Sequence, residues 1–123
     1  MRVACGVDLV AVGRVARLLE SGREGLLHAA WTEAERAACQ GRPERLAARW
    51  AAKEATLKAL GVGVDRVPMA DVEVLTSDSG APRLVLHGRA VLLADEQGLS
   101  RWAVSLSHDG DYAIAQVVAL AED

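Results

Sequence analysis

The chain has 123 residues, a formal net charge of −3, 51% hydrophobic and 25% charged residues, two cysteines and no phenylalanine. That is the composition of one soluble globular domain, 1–123, whose core must be built from Ala, Val and Leu. The acidic balance and the lack of a Lys/Arg block argue against nucleic acid, and no apolar run is long enough to span a membrane.

Residues 2–12 (RVACGVDLVAV) are apolar and β-branched on both faces, which predicts a buried strand broken by Gly13. Val15, Leu18 and Leu19 then recur at helical spacing up to Gly22, and Glu24 to Ala30 predicts a further short helix. Thr32 followed by Glu35 is a capping box, starting a helix that runs to about Gln40 and stops at Gly41. Pro43 suits a first helical turn, and the stretch to Leu60 is rich in strong helix formers, with Gly61 as its C-terminal stop. The second half changes period. Asp71–Thr76 and Arg83–His87 predict a hairpin around Ser77–Gly80 and Pro82, followed by a helix from Arg89 to Gln97. Trp102, Val104 and Leu106 alternate as a strand, His108–Asp111 predicts a tight turn, and Tyr112–Leu120 returns as the last strand. The fold class is α+β, with a mainly antiparallel sheet packed against a long central helix and shorter helices. Cys5 and Cys39 match no zinc spacing and read as two small buried hydrophobes, as suits a reducing cytoplasm.

A few residues fit chemistry better than packing. Asp8 is a carboxylate inside an apolar strand, so it either meets a basic partner or holds a hard cation. Glu54 and Lys58 share one face of the long helix. They are either a solvated ion pair or a carboxylate for a metal beside an ammonium for a phosphate, the pairing that phosphoryl chemistry uses. His108 lies at a strand end, where site residues gather, and has the chemistry to meet a phosphate oxygen. Gly61-Val62-Gly63 follows a helix and lacks the pattern of a P-loop.

Four segments together are similar to a known family. GVDLVAVGR (6–14), WTEAE (31–35), RWAAKEATLKALGVG (49–63) and VSLSHDGDYAIAQVV (104–118) resemble, in order and spacing, the motifs of the holo-acyl-carrier-protein synthases, the small trimeric branch of the 4′-phosphopantetheinyl transferases. Trp31 and Trp50 stand where that family usually has Phe, and Val62 where it usually has Thr. The resemblance implies the family's fold and the transfer of 4′-phosphopantetheine from coenzyme A to a serine of a fatty-acid or polyketide acyl carrier protein. It implies Mg²⁺, replaceable by Mn²⁺ in an oxygen-ligand site, held by Asp8 and Glu54 with the pyrophosphate of coenzyme A. Lys58 is then expected at the transferred phosphate and His108 near the cofactor's phosphates. Gly80, Pro82 and Arg83 are expected at the adenosine end, and Arg14, Arg17 and Leu18 at the docked carrier. A homotrimer with active sites between subunits is also implied. The competing class is a non-catalytic relative that binds carrier or nucleotide as a scaffold.

Overall fold

The computed structural model describes residues 1–122. Strand β1 (Arg2–Ala11) runs straight into helix α1 (Val12–Glu20), followed by α2 (Glu24–Ala30), α3 (Glu33–Cys39) and the long α4 (Pro43–Leu60). A 3-10 turn (Met69–Asp71) leads to the hairpin β2 (Val72–Thr76) and β3 (Pro82–Leu86), then α5 (Gly88–Glu96), β4 (Leu99–Asp109) and β5 (Tyr112–Ala121). The strands form two antiparallel sheets, β1-β5-β4 and β2-β3. β5 is therefore central although it is last in the chain, so the N-terminal strand is held by the C-terminal one. Among the described residues no helix is long and apolar enough to cross a membrane.

Local chemistry explains the α4 boundaries. Pro43 opens the helix, where its missing N–H has no intrahelical acceptor to lose, and Gly61 closes it at φ 75°. Between them Leu46, Ala47, Ala51, Ala55 and Leu57 are buried, so the helix is the axis of the core. The small side chains allow close approach. At Gly6 an added Cβ would lie 1.9 Å from the Ala55 carbonyl oxygen, so only glycine lets β1 lie this close to α4.

Several sequence expectations are corrected here. Gly13 does not break the chain but sits in the first turn of α1, whose start is held by Val12 N–H donating to Asp111 O at 2.8 Å. First-turn residues need no intrahelical acceptor, so glycine costs little there. β1 is not buried on both faces: Val10 is buried while Val3, Val7 and Leu9 are exposed on the sheet surface away from α4. Cys39 is buried as expected, whereas Cys5 lies on that same open face and is exposed. The final turn is shorter than His108–Asp111. β4 continues through His108 and Asp109, leaving Gly110 and Asp111 to turn, with Gly110 at φ 60°.

Candidate active site

Two elements place the central cluster. β1 presents Ala4, Gly6, Asp8 and Val10 towards α4, and the contact at Gly6 brings the strand down onto the helix. Asp8 thus arrives beside Glu54 and Lys58, one turn apart on α4. Lys58 Nζ donates to Asp8 Oδ1 at 3.2 Å and to the Val7 carbonyl at 2.9 Å. The ammonium therefore reaches across to the strand, and its ion pair is with Asp8. The Asp8 side chain is 14% exposed and that of Lys58 56%, so the acid lies at the floor and the base at the mouth.

The Asp8 and Glu54 carboxyls act on each other. Burial, then the Asp8 charge and a hydrogen bond to Asp8, push the Glu54 carboxyl above its usual range, against a hydrogen bond from Trp50 and the Arg14 charge. Asp8 Oδ2 is buried and receives no N–H or alcohol donor. The Asp8 charge makes it costly to ionise Glu54 beside it. A carboxylate oxygen without such a donor, beside a second carboxyl, is a donor set for a hard, oxygen-seeking ion. Among the described residues no group of three or more His, Cys, Asp or Glu side chains could hold a metal. Two carboxylates suit magnesium, which is commonly held by one or two acids, substrate phosphates and water.

A cleft of about 590 Å³ is lined by Arg45 and Arg49 of α4, Thr76, Gly80 and Pro82 of the hairpin, and Leu106 of β4. Arg49 donates from Nη2 to Thr76 Oγ1 at 3.1 Å, while its buried Nε has no acceptor. Gly80 and Pro82 thus meet at the cleft, whereas Arg83 faces the other side of the hairpin, along a groove with Ala94 and Trp102. Leu106 lies two residues before His108 on β4, so the two share a strand face. His108 is itself exposed at the strand end, opposite Ala113.

On the other flank of α4, Val10, Arg14, Val15, Leu18, Trp31 and Trp50 enclose a pocket of about 240 Å³. Trp31 is fixed by its Nε1–H donating to Leu46 O at 3.1 Å, with its ring 5.8 Å from that of Trp50. Arg14 and Leu18 line this pocket; Arg17 is exposed on the same helix outside it.

Arg45 and Arg49 were not singled out from the sequence. The available signal was two like charges four residues apart on one helix, an arrangement that disfavours the helix until an anion neutralises it. Lys53, next to Glu54, also went unremarked and is wholly buried. Nothing in its spacing distinguishes it from a solvated lysine.

Comparison with known proteins shows the family and the fold. Residues 4–117 match the model of the 4′-phosphopantetheinyl transferase superfamily. Holo-[acyl-carrier-protein] synthase of Herpetosiphon aurantiacus is 43% identical over 122 residues, covering 94% of this chain and 96% of its own. That of Gloeobacter violaceus is 46% identical over 116 residues, covering 91% and 88%. Among solved structures, the Chronobacterium ammoniagenes ACPS–CoA complex superposes with a TM-score of 0.86 at 32% identity, covering all of both chains. Helicobacter pylori holo-[acyl-carrier-protein] synthase in complex with coenzyme A gives 0.85 at 27% identity, covering 94% of this chain and 99% of that one.

Proposed function

The chain belongs to the 4′-phosphopantetheinyl transferase superfamily, and from that premise we propose that it transfers 4′-phosphopantetheine from coenzyme A to a serine of an acyl carrier protein, with magnesium held by Asp8 and Glu54. The observation that carries this reading is the convergence of Asp8, Glu54 and Lys58, with Asp8 Oδ2 buried and receiving no N–H or alcohol donor. A binding-only scaffold has no use for a carboxylate pair with one member pushed towards protonation and the other paired with a half-exposed ammonium.

The chemistry follows from the residues. The serine oxygen of the carrier attacks the phosphorus that bears the pantetheine arm; a P–O bond of the pyrophosphate breaks, and 3′,5′-adenosine diphosphate leaves. The bound magnesium supplies positive charge to the pyrophosphate. Lys58 is open to solvent at the cluster mouth and offsets negative charge on the transferred phosphate. Glu54 takes the serine proton; Asp8 is the next candidate. Arg45 and Arg49 give the cleft that they line the charge to receive the nucleotide phosphates, with Gly80 and Pro82 as its rim.

The carrier then docks on α1. Arg14 and Arg17 face solvent there, beside the apolar pocket that Arg14 and Leu18 line next to Trp50. A basic helix over an apolar recess fits an acidic, amphipathic carrier helix. The open face of the three-stranded sheet supports a homotrimer, which would bring His108 of one subunit towards the phosphates bound by the next.

Intact-mass spectrometry of an apo carrier protein, incubated with this protein, coenzyme A and Mg²⁺, tests the reading. A gain of about 340 Da, the mass of the transferred group, is expected with metal and is expected to vanish with EDTA. Glu54→Gln is expected to lose turnover by about 100-fold or more. No gain with either a fatty-acid or a polyketide carrier, from folded protein, would leave a scaffold instead.

A further inference from the structure

The most deeply buried charges in the molecule lie outside the proposed chemistry. Lys53 and Glu35 are both 0% exposed, and Lys53 Nζ donates to Glu35 Oε1 at 2.7 Å. The ammonium also donates to Met69 O at 3.1 Å and to Val72 O, so all three of its N–H groups are used. Glu35 is equally occupied. Its Oε1 also accepts from Thr32 N–H at 2.9 Å, and its Oε2 accepts from Val74 N–H at 3.0 Å.

The targets of these bonds matter more than their number. Val72 and Val74 are both on β2, and they are held by groups from α4 and α3. Two residues further along β2, Thr76 accepts from Arg49, which lies one turn before Lys53 on α4. One side of α4 therefore holds β2 at Val72 directly, at Val74 through Glu35 and at Thr76 through Arg49. The same strand leads into the turn that carries Gly80 and Pro82, the rim of the cleft over Arg45 and Arg49. Lys53 precedes Glu54, which points the other way, into the carboxylate cluster. Consecutive residues of one helix thus face the metal pair and the strand that shapes the nucleotide cleft.

A buried ion pair is a poor source of stability, because removing both charges from water cancels much of their attraction; its better attested use is to fix register. The bonds here are directional and go to backbone atoms of one strand. An apolar pair of equal volume would fill the space and leave β2 free to slide.

We propose that Lys53, paired with Glu35, is a positioning residue for coenzyme A: it sets the register of β2 on α4 and so holds the Thr76–Pro82 rim over Arg45 and Arg49. The inference rests on the reading of that cleft as the nucleotide site.

Lys53→Met alone strands a buried carboxylate and is prone not to fold. The informative variant is the neutral double substitution Lys53→Met/Glu35→Gln, compared with the wild type in the complete transfer reaction. Circular dichroism and thermal melting are expected to show a folded protein. The KM for coenzyme A is expected to rise about tenfold or more, since displacements of about 1 Å cost this much. The kcat at saturating coenzyme A and the KM for the carrier are expected to stay within about twofold. A general loosening would instead move all three constants. An unchanged KM for coenzyme A in the folded double variant overturns the inference, and so does global unfolding of that variant, which would make the pair a support for the whole fold. A wild-type protein that binds no coenzyme A would instead overturn the reading of the site.

Discussion

At the scale of single residues, the site depends on one missing side chain. Gly6 stands where β1 lies against α4, and an added Cβ would be 1.9 Å from Ala55 O and 3.1 Å from Lys58 Cβ. The first is a backbone atom in the middle of a buried helix and cannot swing aside. Gly6→Ala must therefore lift β1, and Asp8 two residues on moves with it. The expected cost is about 1–3 kcal/mol of stability, the usual range for overpacking. Displacement of Asp8 also separates its carboxylate from Lys58 and Glu54. In a thermal-shift experiment, the rise in Tm produced by Mg²⁺ and coenzyme A is expected to shrink in this variant more than the basal Tm falls. A basal loss with a full ligand-induced rise would show that β1 can move without disturbing the cluster. The comparison separates packing from placement, because ligand stabilisation depends on affinity and not on the starting Tm alone.

At the scale of elements, α3, β2 and the start of α5 are joined by polar bonds with no apolar equivalent. Thr32 Oγ1 caps α3 by accepting from Glu35 N–H and donates to Glu73 Oε2 at 2.6 Å. Glu73 Oε1 meets His87 Nε2 at 3.0 Å, at the residue preceding α5. Burial pushes the Glu73 carboxyl up, but the Thr32 and His87 hydrogen bonds and the nearby His87 and Lys53 charges outweigh it, so the group lies below its usual range. The native state then binds this proton more weakly than the unfolded chain does. Its contribution is complete above the ordinary glutamate range and lost as pH falls through the lowered value. Glu73→Gln is expected to lower Tm at pH 7, with the gap to wild type closing below about pH 4. Melting curves across pH check this; a gap that persists in acid would assign the loss to packing. None of this was legible in the sequence beyond the capping box itself. Thr32 and Glu35 announce a local helix start, and the structure forms that box. The bonds of Thr32 to Glu73, Glu35 to Lys53 and Glu73 to His87 join residues 14 to 41 apart in the chain, and no periodicity links them. The long helix and both hairpins were legible because their signals are local: Pro43 and Gly61 at the ends of α4, Ser77–Gly80 and Gly110 at the turns. Asp8 was legible as a candidate because it is a charge in an apolar strand, and Glu54 and Lys58 because they share one face of a largely apolar helix, while Arg45 and Arg49 gain meaning only from a cleft closed by β2 and β3.

At the scale of the whole molecule, one face is unfinished. Val3, Val7 and Leu9 of β1 and Ile114 and Tyr112 of β5 are exposed together on the sheet surface away from α4. On the register, Leu9 lies opposite Ile114 and Ile114 opposite Ser107, so the apolar stripe runs across neighbouring strands with small polar residues at the β4 side. A contiguous patch of this kind on a sheet marks a contact surface rather than scattered surface apolarity. It also explains why residues 2–12 read as buried on both faces: their composition fits an assembly, whereas the single chain covers only one side. In the proposed homotrimer a closed ring of copies would cover the face for every subunit. Ile114→Glu tests this with little risk to the fold, since its side chain points away from the core and from Asp8. Surface changes of that type shift the stability of an isolated chain by about 0.5 kcal/mol or less. In light scattering the wild type is expected at three chain masses and the variant at one, with unchanged circular dichroism. If His108 acts on phosphates held by a neighbouring subunit, the monomeric variant also loses transfer activity although its Asp8, Glu54 and Lys58 are intact. A monomeric wild type would remove the assembly, while a monomeric variant with full activity would place the complete site within one chain.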